Sequence, residues 1–129
     1  MLKKIMVAYD EGVIAGRALD KAIELAQATS GEIYLVSSFM TVDNPTRREY
    51  LEKIQAEAGE KVVREGINVH TQIEAGKELG QTLAKIAADL KVDMVVMGSN
   101  NRGAVGQFMF GSVSKYVLRN VACPVLIVK

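Results

Sequence analysis

Along this chain five short apolar runs alternate with stretches whose apolar positions fall three and four residues apart, and few folds accept that order of elements. The first run is Ile5-Met6-Val7-Ala8-Tyr9, and Ala15, Ala18, Leu19, Ala22, Ile23 and Ala26 then form a helical stripe that Gly31 is expected to stop. Ile33-Tyr34-Leu35-Val36 starts a second strand that fades into Ser37-Ser38-Phe39, with a loop at Asp43-Asn44. Pro45 suits the first turn of a long, charged helix with apolar positions Leu51, Ile54, Ala58 and Val62, ending near Gly66. Val69, Thr71 and Ile73 alternate with Asn68, His70 and Gln72, the pattern of a strand at a sheet edge, and Gly76 ends it. Leu79, Leu83, Ile86, Ala87 and Leu90 form the next helical stripe, and Met94 to Met97 form a buried strand. Val113, Val117, Leu118 and Val121 suggest a last helix, before a final strand Pro124-Val125-Leu126-Ile127-Val128.

Strands and helices in strict alternation, joined by short loops, predict right-handed crossovers and an open parallel sheet covered by helices on both faces. The 129 residues, 49% hydrophobic and 24% charged, fit one globular domain, residues 1–129, with a core of its own. Lys, Arg, Asp and Glu are mixed along the chain and sum to a net charge of +1, which leaves no basic stripe for nucleic acid. No apolar run reaches the roughly 20 residues of a membrane span and no signal peptide is evident. The single cysteine, Cys123, excludes an internal disulfide and fits a cytoplasmic location; preceding Pro124 at a buried strand, it reads as a small core residue.

In open parallel sheets ligands bind beyond the carboxyl ends of the strands, where the strand order reverses. The first and fourth strands are the expected neighbours there, and their ends carry Tyr9-Asp10-Glu11-Gly12 and Gly98-Ser99-Asn100-Asn101. Between Gly98 and Ser114 a glycine closes a strand, and Gly111-Ser112-Val113-Ser114 opens a helix whose first amides could meet an anion. Each residue also has a plainer reading: Asp10 as a cap of the first helix, Gly111-Ser112 as a helix start only. The final strand, four consecutive apolar residues before Lys129, is an edge that could pair with a second copy of the chain.

Several enzyme classes lack their residues. No string gives the P-loop's Gly-Lys with a following hydroxyl, and Asp10-Glu11-Gly12 supplies one glycine where a dinucleotide fingerprint needs three. The segment from Gly98 to Ser114 contains no Asp or Glu to serve as base or metal ligand, so any nucleotide hydrolysis is expected to be slow or incidental, and a non-enzymatic role is favoured over an enzymatic one. His70 has no second histidine or cysteine at metal-ligand spacing and is assigned no role. Met94, Met97, Met109 and Phe110 read as core or cleft lining, and the charged helix from Arg47 to Arg64 as a solvated face.

Over essentially its full length the chain resembles the universal stress protein family. The resemblance lies in Val7-Ala8-Tyr9-Asp10, in the glycine segment, and above all in Gly111-Ser112-Val113-Ser114 leading to Cys123-Pro124-Val125-Leu126-Ile127-Val128. It implies a five-stranded parallel sheet of order 3-2-1-4-5, adenine nucleotide alpha hydrolase-like, and a homodimer formed through the fifth strand Val125 to Val128. In one branch of the family it implies ATP or AMP in the cleft, with Mg only alongside ATP; other branches bind no nucleotide and work through protein partners. The binding branch resembles Gly, two residues, Gly, nine residues, Gly, then Ser or Thr. Gly98, Gly111 and Ser112 match, and Asn101 departs. Glu11 also departs, standing where the family often has glycine. Carried over by position, Asp10 would contact the nucleoside, backbone near Ala8 and Ser38 would line the adenine, and Gly98 would approach ribose and phosphates. Asn101 would stand beside the phosphates, with the charge of Arg102 nearby, and Gly111, Ser112, Val113 and Ser114 would hold phosphate oxygens. The chain does not resemble the pyrophosphate-releasing enzymes of the wider superfamily, whose Ser-Gly-Gly after the first strand is missing.

Overall fold

The computed structural model describes residues 2–41, 45–99 and 111–129. In chain order they form β1 (Lys4–Ala8), α1 (Val13–Thr29), β2 (Glu32–Met40), α2 (Pro45–Arg64), β3 (Val69–Gly76), α3 (Leu79–Leu90), β4 (Met94–Gly98), α4 (Ser112–Asn120) and β5 (Val125–Val128). The sheet runs β3-β2-β1-β4-β5 with all four pairings parallel. This is the order expected of the family, and it makes the gap between β1 and β4 the point where the winding reverses.

The period of two along the central strands divides the core. Ile5, Val7, Ile33, Leu35 and Val96 face α1 and α2, while Met6, Val36, Val95 and Met97 face α3 and α4. On α1 the buried residues are the six of the sequence stripe, Ala15, Ala18, Leu19, Ala22, Ile23 and Ala26, small enough to bring the helix close to the sheet. The left-handed residue that ends α1 is Ser30, at φ 55°, rather than Gly31; its amide donates to the Ala26 carbonyl. α2 opens on Pro45 as expected, whereas Asp43 and Asn44 lie outside the described residues.

Four elements depart from the simple periodic reading. β2 runs on through Ser37, Ser38 and Phe39 to Met40, held by eight paired positions on β3, so the polar residues lie within the strand and not past its end. On α2, Gln55 is buried beside Leu51, Ala58, Gly59 and Val62, while Ile54 is half-buried. On the edge strand β3, Thr71 is exposed, and half-buried positions fall at Val69, Gln72, Ile73 and Gly76. α4 buries Ser114 and Val117, leaves Leu118 exposed, and ends before Val121. No helix among the described residues is long and apolar enough to cross a membrane.

Candidate functional site

Where β1 and β4 end, the backbone parts around a cavity of about 520 Å³. Its apolar side is built by Val36, Leu79, Leu83, Met97 and Val113, from the face of the sheet that α3 and α4 cover. Its polar side carries Asp10, Ser37, Ser38, Ser99 and Ser114, with Glu11 and Arg47 also in the wall. An apolar lining with a small number of polar groups is the usual build of a small-molecule site.

Two helices begin at this cavity. Gly12 ends the β1–α1 turn at φ 112°, in a region that disfavours other residues, and it is the N-cap of α1 with no side-chain cap. The N-cap position is thus Gly12 and not Asp10, which lines the cavity together with Val13, Ile14 and Ala15 of the first turn. At α4 the N-cap is Gly111, again without a side-chain cap, and Val113 and Ser114 reach the cavity wall. Each N-terminus brings roughly half a positive charge and amides lacking helical acceptors. Ser99, 5% exposed, lines the same cavity, and its Oγ has no hydrogen-bond partner among the described residues. A buried hydroxyl left unmatched costs about 1–3 kcal/mol, so its persistence at a cavity wall fits a ligand that completes it.

Behind the cavity wall, Ser37 is held by a residue that sequence reasoning passed over. Gln55 of α2 is 3% exposed, and its Nε2 donates to Ser37 Oγ at 2.9 Å and to the Gln72 carbonyl at 3.0 Å, with the Leu35 carbonyl at 3.3 Å. Ser37 Oγ in turn donates to the Tyr9 carbonyl at 2.5 Å. The chain of bonds ties α2, β3 and β2 to the residue that precedes Asp10. Burial pushes the Tyr9 phenol above its ordinary value, the strongest influence on it.

At the rim, Arg47 in the first turn of α2 grips Glu11 with both ends of its guanidinium: Nη1 meets Oε2, and Nη2 meets Oε1 at 3.0 Å. The residues stand 36 apart in sequence, so no local pattern announces the pair. The guanidinium also lies 5.8 Å from the centre of the Tyr50 ring, an arrangement that steadies it.

The structure thus brings together Ala8, Asp10, Ser38, Gly98, Val113 and Ser114 of the residues expected from sequence. Gly111 and Ser112 are not among the residues lining the cavity; they form the cap and first residue of the helix that does. Asn101 and Arg102 lie outside the described residues, as do Met109 and Phe110. Gly98 has a structural cause of its own. A Cβ there would stand 2.5 Å from Ile14 Cγ2 and 3.3 Å from the Ile14 carbonyl, so the missing side chain lets α1 lie against β4.

Away from the cavity, at the opposite end of the strands, His70 stacks on Tyr34 with ring centres 4.5 Å apart, and its Nε2 is 3.2 Å from Glu32 Oε2. Hydrogen bonds from the Tyr34 hydroxyl and then from His70 hold the Glu32 carboxyl below its usual range. Cys123 is half-buried against the α3–α4 core, and desolvation pushes its thiol up, away from the reactive thiolate. No cluster of three metal-ligating side chains occurs among the described residues.

Comparison with known proteins agrees with this architecture. A universal stress protein of Thermus aquaticus is 31% identical over 140 aligned residues that cover all of both chains. The solved structure of the universal stress protein from Archaeoglobus fulgidus in complex with dAMP superposes with a TM-score of 0.82 at 20% identity, covering 100% of this chain and 98% of that one. A universal stress protein in complex with cAMP gives 0.80 at 20%, covering 98% and 97%. The family model described as the universal stress protein family matches residues 1–129. The chain belongs to the universal stress protein family.

Proposed function

We propose that this protein is a regulatory module that binds an adenine nucleotide, AMP or ATP, in the cavity between β1 and β4, and that it acts in stress response as a homodimer. One observation carries the nucleotide reading: the buried Ser99 hydroxyl, without a partner among the described residues, on the wall of a cavity that the starts of α1 and α4 also line. Donors of that kind suit a phosphate, and the apolar wall of Val36, Leu79, Leu83 and Met97 suits a planar base. The two structural relatives solved with dAMP and cAMP support the same chemistry. In this reading Asp10 and the backbone near Ala8 and Ser38 meet the nucleoside, and Val113 and Ser114 at the start of α4 meet the phosphate. By position in the family pattern alone, Asn101, Arg102, Gly111 and Ser112 would also stand near the phosphate. Mg would accompany ATP alone, and the cavity's polar groups favour binding over catalysis.

The dimer would form through β5, whose residues Val125 to Val128 are all only partly buried and pair on one side with β4. The strand's free side is a template for its copy, and Leu118, 41% exposed, adds apolar surface on the α4 it follows. The location would be cytoplasmic.

A ligand-free module working through a protein partner is the second reading, and one observation favours it: Gly98 is accounted for by Ile14, without any ligand. The deciding experiment is to denature freshly purified protein and identify released small molecules by mass spectrometry. Adenine nucleotide near one equivalent is expected. Absence of nucleotide there, together with no heat on titrating stripped protein with AMP or ATP, would leave the partner reading in possession of the site.

A further inference from the structure

We infer that the Glu11–Arg47 pair is a charge selector for this cavity, which makes it favour a nucleotide with one phosphate over a triphosphate; the inference rests on the nucleotide reading above. Among the described residues that line the cavity the charged ones are Asp10, Glu11 and Arg47, two carboxylates against one guanidinium. The N-termini of α1 and α4 add about half a positive charge each. The sum is close to zero. A monophosphate brings about two negative charges at neutral pH, and a triphosphate brings more. Helix amides and the Ser99 hydroxyl can satisfy one phosphate by hydrogen bonds, but each further phosphate needs countercharge, and among the described lining residues Arg47 is the one cation.

Arg47 is the group best shaped to supply it, since a guanidinium fork takes phosphate and carboxylate in the same bidentate way. Glu11 already occupies that fork from within the chain. A phosphate that reached Arg47 would have to displace Glu11 and leave its carboxylate beside a second anion. Both side chains are about a third exposed, 31% for Arg47 and 34% for Glu11, so the pair is within reach of solvent and of a ligand entering at the rim. Glu11 is therefore a specificity residue that acts through its hold on Arg47 and its own charge, with no part in chemistry.

The test is calorimetric titration of stripped protein with adenosine, AMP and ATP, in chelator so that no divalent cation masks the phosphates. The wild type is compared with Glu11→Gln and Arg47→Gln. Wild-type protein is expected to bind AMP more tightly than ATP. Glu11→Gln should raise ATP affinity roughly tenfold, the effect of one unit charge about 3 Å away at the dielectric of water, which suits a pair at a solvent-reached rim; it should raise AMP affinity less and leave adenosine unchanged. Arg47→Gln should weaken ATP most and adenosine least. Raising the salt to about 0.5 M should narrow these differences, because screening acts on charge and not on shape. If AMP and adenosine bind but Glu11→Gln moves all three ligands by one common factor, or moves none, the selector is refuted while the nucleotide reading stands. If none of the three binds any of the three proteins, both fall together. Near-identical melting curves for both variants are expected, since neither side chain is in the core.

Discussion

Replacing Gly98 by alanine separates a glycine kept for packing from one kept for a ligand. The added Cβ would stand 2.5 Å from Ile14 Cγ2, about 1 Å inside an ordinary carbon contact of about 3.5 Å. Ile14 is β-branched in the first turn of α1, with one strongly preferred rotamer, so its methyl cannot swing aside cheaply. Overpacking of this kind costs about 1–3 kcal/mol. Gly98 is not among the positive-φ glycines, so alanine fits the backbone, and the lower entropy of its unfolded chain returns about 0.4–1 kcal/mol. At mid-range values, about 2 against about 0.7, the net destabilisation is about 1.3 kcal/mol, a fall in Tm of roughly 4–6 °C for a domain of this size. The decisive comparison is the same change in an Ile14→Ala background, where Cγ2 is gone and only the 3.3 Å approach to the Ile14 carbonyl remains. There Gly98→Ala should be neutral or slightly stabilising in urea denaturation. Equal destabilisation in both backgrounds, or none in the wild type, refutes the packing account of this glycine.

The other predictions concern the frame of the site. Gln55→Leu leaves Ser37 Oγ and the Gln72 carbonyl short of a buried donor, so it should cost about 2–4 kcal/mol by chemical denaturation; a cost below about 0.5 kcal/mol would mean the network is idle. Gly80→Ala would set a Cβ 2.8 Å from Tyr116 Cβ where α3 meets α4, and a loss of about 1–3 kcal/mol is expected, which Tyr116→Gly should relieve and Tyr116→Ala, keeping that Cβ, should not. Asp93 accepts from the Lys4 amide at 2.9 Å and the Lys3 amide at 3.0 Å, which hold its carboxyl below the ordinary value of 3.8. A depressed folded value means that the stabilisation is complete above the unfolded value and lost as pH falls through the folded one. Asp93→Asn should therefore lower stability at neutral pH and flatten its decline below about pH 4; parallel urea midpoints for both proteins across that range would contradict this.

The layered sheet was legible because each element carries its own period. The six alanine, leucine and isoleucine positions of α1 appear in sequence at the spacing at which they are buried. The place of the site followed from topology, since strand ends at a reversal of winding must part. What the sequence hid lies between elements. Gln55 sits in a run of charged residues and looks like one more solvated position; only the approach of α2 to Ser37 and Gln72 buries it. Arg47 and Glu11 belong to segments with no pattern in common. The polar end of β2 reads as a fading strand because Ser37 and Ser38 face a cavity, where an apolar pattern is not required. Gly98 reads in sequence as a ligand residue, but a glycine after a strand serves helix packing and phosphate approach equally well, and the packing reason becomes visible only with the position of Ile14.

The central claim is that an adenine nucleotide sits between β1 and β4 against the start of α4. Amide chemical-shift mapping of stripped, isotope-labelled protein titrated with AMP tests it most directly. The account predicts saturable shifts concentrated at Asp10, Ser38, Ser99, Val113 and Ser114, with the outer face of α2 around Val63 unmoved. No shifts at millimolar AMP, or shifts centred away from these residues, would contradict it.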